Sequence, residues 1–404
     1  MIQIVLGPLG RFKCPVSLEA KKLSNYKTYL FEKSTKKTSA MKNIKRVHLV
    51  YPVGNKISTP DTIGHHLQLA LKKHYHVTTY NYDEIKIIQP GKSDVLIGHW
   101  HPNPLTVFRM SAKKKGWKRI LALAPFCPDH SGWHNAFGKN IIEQCDRYLA
   151  ITGNAWMNKL KESPFQHWLP KIVHLDLAVD RKDHPFIKEY FNPIENRRFL
   201  YIGNTSWCKN TSFLEKLAQE LPEIDFSWIG GNQSLKGLKT LGTLDFSKQE
   251  AKKLIQEYDY LITVGSADAN PTTILEAMAW GLIPVCSVQS GYEGFPGIRN
   301  IPIDNIDDAV KTINDLQSVS EAQLKKWQQE NLDCLDNHFN WDRFCSQVLK
   351  EIESKFSPDL AEKTGNNRLS LQAAELKSPY YWGRPINFYH FLKTNLKYAF
   401  QNRL

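Results

Sequence analysis

From Val47 onward the chain alternates short runs of β-branched and aromatic residues with amphipathic stretches of helical length, and that rhythm leaves few architectures open. The first series of apolar runs covers 48–51, 77–80, 95–98, 120–124 and 148–151, with a helix near 64–73 after the first run. A second series covers 199–202, 226–229, 239–241, 260–264 and 285–288. Strand, helix, strand in repetition implies parallel sheets, and parallel sheets need helices over both faces. The predicted fold class is α/β, with two doubly wound, Rossmann-like domains facing each other across a cleft. A chain of 404 residues, 42% apolar, is long enough for two such cores. The expected division is a basic extension over 1–46, a first domain over 47–180, a linker over 181–198 where the sequence turns polar and proline-marked, a second domain over 199–355, and a basic aromatic tail over 356–404. Ligands of such sheets lie beyond the carboxyl ends of the strands, so the cleft is the expected site.

The net charge of +13 sits at the two ends. Residues 1–46 hold 11 Lys and Arg against 2 Glu, and 362–404 hold 7 against 2, so the body between them is close to neutral. A basic body would point to nucleic acid. Basic ends on a neutral body point instead to appendages that meet an anionic surface, and nucleic acid is not an expected partner. In the tail, Phe388, Phe391, Leu392, Asn395, Leu396 and Ala399 share a face if the segment is helical. Two readings stay open there: an interfacial segment on an anionic membrane, or a helix packed back on the protein. No run of about 18 apolar residues occurs and residues 1–10 lack a basic region ahead of an apolar core, so the expected location is the cytoplasm, peripheral at the inner face of the plasma membrane. The lysine-rich stretch 33–46 reads as a flexible extension, with Met41 as a candidate natural start. Seven scattered cysteines with no Cys-x-x-Cys pair suit reduced thiols better than a disulfide frame or zinc site.

The segment 267–288 is the best punctuated of the chain. Asn270 suits an N-cap, Pro271 the first helical position, and Gly281 followed by Pro284 a C-terminal stop, which predicts a helix over about 271–280. Its first turn would leave the amides of Thr272 and Thr273 free for an anion such as a diphosphate. Glu276 is the only charged residue between Asp268 and Glu293. A carboxylate among Ile274, Leu275, Met278 and Trp280 is costly to desolvate unless hydroxyls or amides bond it, and vicinal ribose hydroxyls are suitable partners. The plainer alternative is a solvent-facing Glu on a core helix.

Residues Leu275-Glu276-Ala277-Met278-Ala279-Trp280-Gly281-Leu282-Ile283-Pro284-Val285, with Asp268 eight positions before Glu276, resemble the Glu-x7-Glu signature of the retaining, nucleotide-sugar-dependent glycosyltransferases of the GT-B fold. The resemblance covers roughly 47–355 and is most specific over 262–288. It implies that Glu276 binds the donor ribose and that Asp268, shorter than the usual Glu by one methylene, lies beside the sugar. Tyr201-Ile202-Gly203-Asn204 followed by Lys209 is similar to the family's strand, Gly-Arg and Lys that hold the donor diphosphate. Here Gly203 and Lys209 are kept and Asn204 stands where Arg is usual. Gly230-Gly231-Asn232 follows the next strand, and 240–244 falls where such enzymes commonly meet the base.

The stretch from Asp94 to Pro104 resembles the first-domain strand end that carries a His facing the reacting sugar. Alignment from Asp94 selects His99, alignment on Pro102-Asn103-Pro104 selects His101, and His99 is preferred. Gly64, in the segment that opens the first helix, is a candidate for acceptor or phosphate contact through backbone amides. Asp-x-Asp, the metal clamp of the other main glycosyltransferase fold, is absent, and the His pairs at 65/66, 74/76 and 99/101 lack spaced third ligands, so no metal is expected.

The resemblance therefore implies transfer of a hexose-type sugar from a UDP- or GDP-sugar to a glycan or lipid-linked acceptor, with retention, in surface polysaccharide or glycoconjugate synthesis. His99 and Asp268 are the catalytic candidates, and Gly203, Asn204, Lys209, Asn270, Thr272, Thr273 and Glu276 the donor-binding ones. The nucleotide-sugar is a co-substrate and no cofactor is expected. Asp268 and Asn204 depart from the family pattern and keep a second class open, a noncatalytic glycan- or membrane-binding protein on a degenerate scaffold. A GT-B-fold epimerase or phosphorylase is the nearest enzymatic rival.

Overall fold

A computed structural model describes residues 46–54, 58–101, 105–128, 141–163 and 165–354. The basic ends, Met41 and the aromatic tail lie outside these residues. Two six-stranded sheets organise the rest. The first contains β1 (Arg46–Val50), β2 (His76–Tyr80), β3 (Val95–Gly98), β4 (Arg119–Pro125), β5 (Arg147–Ile151) and β6 (Ile172–Leu175), in the order β2-β1-β3-β4-β5-β6. The second contains β7 (Phe199–Ile202), β8 (Phe226–Ile229), β9 (Lys239–Thr240), β10 (Tyr260–Thr263), β11 (Ile283–Cys286) and β12 (Arg299–Asn300), in the order β12-β11-β10-β7-β8-β9. Every ladder is parallel. Most of the central strands are buried along their whole length, as expected where helices cover both faces, and this is why they read as unbroken apolar runs rather than alternating ones.

The helices are α1 (Thr59–Lys72), α2 (Val107–Ala112), α3 (Asn154–Glu162), α4 (Thr211–Glu220), α5 (Gln249–Gln256), α6 (Thr272–Trp280), α7 (Ile306–Gln317), α8 (Glu321–Asn337) and α9 (Trp341–Glu353). The core of the first lobe gathers Leu96, Phe108, Ala122 and Tyr148, and that of the second Phe199, Leu214, Tyr260, Ile262, Val285 and Ile313. The two-sheet α/β architecture is the one expected. Strand ends fall within about two residues of their predicted places, with one shift and two omissions. The run predicted at 285–288 begins earlier, at Ile283, and passes through Pro284. Proline is tolerated there because β12 pairs with β11 only from Val285 onward, leaving no ladder bond for the missing N–H to make on that side. Omitted were β6, interrupted by His174, and β12, two residues long. The first helix starts at Thr59, ahead of the predicted 64, with Ser58 Oγ accepting from the Asp61 amide at 3.4 Å.

The region predicted as linker is anchored by a buried ion pair. Lys188 Nζ lies 3.1 Å from Asp259 and donates to the Gln256 carbonyl at 2.9 Å. Burial pulls the Lys188 pKa down and the Asp259 charge offsets part of this. After α8 the chain returns to the first lobe. On α9, Glu353 accepts from Tyr75 Oη at 3.0 Å, the Glu351 carbonyl accepts from Arg119 at 3.1 Å, and the Trp341 ring stacks on His66 at 4.3 Å. Among the described residues no helix is long and apolar enough to cross a membrane.

Candidate active site

Each sheet has one place where successive connections leave in opposite directions, between β1 and β3 in the first and between β7 and β10 in the second. Crevices form at the carboxyl ends of strands at such points. Here the two crevices face one another: Tyr51 and His99 follow β1 and β3, while Lys209 and Asp268 come from the loops after β7 and β10. With the first turns of α1 and α6 they line a cavity of about 220 Å³, which includes Thr59, Asn270, Thr272 and Thr273.

Local chemistry sets each of these groups. Gly98 has φ +148, and a Cβ on it would stand 2.4 Å from the Val50 carbonyl oxygen, so only glycine lets β3 end against β1. His99 then donates its amide to that same oxygen at 2.9 Å, with its ring edge-on to Tyr51 at 5.8 Å and near Tyr82 at 5.1 Å. On the opposite wall, the Cys208 carbonyl accepts from the amides of Ser266 at 3.0 Å and Ala267 at 3.4 Å, stitching the two second-lobe loops together. A Cβ on Gly265 would lie 2.8 Å from that of Asp268. The result is a close ion pair, Lys209 Nζ to Asp268 Oδ2 at 2.5 Å, partly buried on both sides.

Asn270 is not the N-cap that its sequence context predicts. It has φ +52 and is 2% exposed. Its Oδ1 accepts from the Leu177 amide at 3.0 Å, and its Nδ2 donates to the Thr152 carbonyl at 2.8 Å. The side chain thus joins the lobes, and the cap position passes to Pro271, which has no side-chain donor or acceptor to offer. The first-turn amides of α6 are therefore left without a side-chain cap beside the cavity, a ready place for an anion. Across the cleft, Thr272 Oγ1 is 3.4 Å from Thr59 Oγ1. One turn deeper, burial raises the Glu276 pKa to about 7, against a Thr272 hydrogen bond that lowers it. Gly281 ends the helix as predicted, with φ +93 and its amide donating to the Ala277 carbonyl at 3.0 Å.

Other candidates lie elsewhere. His101 is buried behind the cavity, stacked on Tyr82, with its carbonyl accepting from Arg109 Nε at 2.6 Å, and burial lowers its pKa. Gly64 sits more than a turn inside α1, where its amide belongs to the helical ladder. Its service is close packing, because a Cβ there would come within 1.9 Å of the Pro52 carbonyl oxygen. Gly203 and Asn204 do not line the cavity. The Gly203 carbonyl accepts from Trp228 Nε1 at 2.7 Å, and Asn204 Oδ1 accepts from the Ser206 amide at 3.0 Å. Among the described residues no group of three or more His, Cys, Asp or Glu side chains is arranged to hold a metal ion.

Three features of the site escape the sequence reading. Tyr51 and Thr59 reach the cavity, and only the segment that opens the first helix, singled out for Gly64, came near the second. At the cleft floor Gly153 meets Gly291 so closely that a Cβ on Gly153 would lie 2.1 Å from the Gly291 Cα, while Trp156 Nε1 donates to the Gln289 carbonyl at 2.7 Å. Behind it, Asp176 gathers His174 at 2.9 Å, His338 at 2.8 Å and Arg343 at 3.4 Å.

No family profile matches this sequence, and neither does any curated protein sequence. Solved structures do resemble it. Sucrose-phosphate synthase from Thermosynechococcus elongatus aligns with a TM-score of 0.57 at 10% identity, over 76% of this chain and 98% of that one. The lipopolysaccharide outer core galactosyltransferase WaaB aligns with a TM-score of 0.51 at 14% identity, over 76% and 99%. An alpha-glucosyltransferase solved with UDP and a 13-mer DNA gives 0.50 at 14%, over 77% and 100%. This chain spans 58% of the length of the TarM structure, with a TM-score of 0.50 at 13% identity. The architecture these share with the chain is the GT-B fold.

Proposed function

We propose that this GT-B-fold chain is a retaining glycosyltransferase that moves a hexose-type sugar from a UDP- or GDP-sugar to a glycan or lipid-linked acceptor. The observation that carries the reading is the convergence of His99, Lys209, Asp268 and the uncapped first turn of α6 on one cavity between two strand-end crevices. The fold likeness to proteins named as glycosyltransferases supports it, one of them solved with UDP.

In the proposed reaction the donor diphosphate rests against Lys209 and the amides of Thr272 and Thr273, and the ribose hydroxyls donate to Glu276. The bond from the anomeric carbon to the diphosphate oxygen breaks, with its electron pair left on that oxygen. Lys209 and the helix amides stabilise this charge as it develops. The acceptor hydroxyl forms the new bond on the same face and its proton passes to solvent. His99 orients the sugar by hydrogen bonding, which lowers the barrier by positioning. Charge stabilisation by Lys209 and α6 supports a metal-independent reaction, so turnover should survive a chelator.

The deciding experiment is thermal stabilisation by a panel of UDP-, GDP-, ADP- and CMP-sugars, run on the wild type and on Glu276→Ala. A selective shift lost in the variant is the expected result. No shift with any nucleotide would instead favour a glycan-binding protein that has kept the scaffold and lost the reaction.

A further inference from the structure

We propose that Asp268 is a positioning residue with a release function: it holds Lys209 in place while the donor is absent and disfavours the spent nucleoside diphosphate relative to the intact donor. The inference rests on the glycosyltransferase reading above and concerns the same cavity.

Among the described residues lining the cavity, Lys209 and Asp268 are the only two that carry a permanent charge, and they neutralise each other at 2.5 Å. The loops that bear them are tied by the two bonds to the Cys208 carbonyl, and the missing side chain of Gly265 lets Asp268 approach. The pair is therefore built in and does not arise from two long side chains meeting by chance. Asn204 contributes no charge to this wall, and its amide oxygen is already engaged by Ser206.

Any diphosphate gripped by Lys209 at hydrogen-bond distance has the Asp268 carboxylate within about 5 Å, close enough for like charges to repel appreciably in a half-buried site. The intact donor carries its diphosphate as a diester. After transfer, the electron pair left on the leaving oxygen makes the diphosphate a monoester, and its freed terminal phosphate bears one more negative charge at neutral pH. Asp268 therefore opposes the product more than the donor, whose diphosphate carries one charge fewer. Its Oδ2 faces Lys209, which leaves the other oxygen for a sugar hydroxyl present only in the donor. Both effects act in the same direction, toward holding the donor and letting the product go.

The test is calorimetric titration of UDP against UDP-glucose, and GDP against GDP-mannose, into wild type, Asp268→Asn and Asp268→Glu. Asp268→Asn should tighten the free diphosphate about fivefold to tenfold and the nucleotide-sugar by about twofold or less, so that the ratio between them moves. Asp268→Glu should keep the wild-type ratio, and the shift should shrink in about 0.5 M salt. Lys209→Gln leaves the carboxylate uncompensated and should move the ratio the opposite way, which keeps the test decisive if Asp268→Asn does not fold. An unchanged ratio in Asp268→Asn, with both ligands bound, overturns this proposal and leaves the glycosyltransferase reading intact. A wild type that binds neither pair overturns that reading, and this proposal with it.

Discussion

Glu276 shows how one side chain can be disfavoured by the fold and yet suit the role proposed for it. Its pKa rises from 4.5 to about 7, first because burial penalises the carboxylate, with the Thr272 hydroxyl pulling the other way. The folded chain thus keeps a proton over a pH range in which the unfolded chain has lost it. The stability contributed by this group is full below the unfolded value and is lost as pH rises through about 7. Replacing the carboxyl by an amide removes the titration. Glu276→Gln should therefore gain about 2 kcal/mol on the wild type between about pH 5 and pH 8, read from urea unfolding at the two pH values. In the proposed reading ribose hydroxyls donate to the ionised form, so nucleotide affinity should strengthen with pH in the wild type, a trend that Glu276→Gln should abolish. A variant whose stability advantage is the same at both pH values would show that Glu276 is already ionised in the folded chain.

At the scale of elements, α6 carries the site because its N-terminus is held by a residue that does not belong to it. Asn270 bonds the Leu177 amide and the Thr152 carbonyl in the other lobe. Asn270→Ala should cost about 2 to 4 kcal/mol, since it strands two buried backbone groups, and a further ~1 kcal/mol because alanine adopts the left-handed conformation at φ +52 less readily than asparagine. Asn270→Gly avoids the second cost and should fall between wild type and Ala in thermal melts; equal losses would mean that the backbone conformation contributes nothing. The sequence read Asn270 as a cap because Asn-Pro is a local helix-start signal, whereas its true partners lie 93 and 118 positions away. The central strands were legible for the opposite reason: burial on both faces writes itself into four consecutive residues. Pro284 moved a predicted boundary because its missing N–H matters only if a neighbouring strand asks for it. Lys209 and Asp268 came together in the sequence only through family resemblance, since no spacing rule pairs residues 59 apart.

For the whole molecule, the return of α9 to the first lobe makes the two halves interdependent. Asp176 is the junction. Burial opposes its ionisation, but the bonds and charges of His174 and His338 outweigh it and hold the carboxyl well below the usual range. His174 is affected in reverse: burial lowers its pKa, and the Asp176 bond and charge more than restore it, so the net shift is upward. A histidine raised in the folded state stabilises fully below its unfolded value near 6.5 and loses that contribution as pH rises through the folded one. The Arg343 guanidinium, 3.4 Å from Asp176, does not depend on the histidines, so the junction should weaken on the alkaline side without failing. Small-angle scattering between about pH 6 and pH 9 should record a modest expansion in the wild type and none in His174→Gln; identical curves would place the resistance to opening elsewhere.

Gly153 and Gly291 touch where any side chain would collide. At its floor the cleft can close this far only because two methyl groups are absent. An inherited alanine at either position would act as a shim, holding the jaws apart and admitting a bulkier molecule while every chemical group of the site stayed as it was.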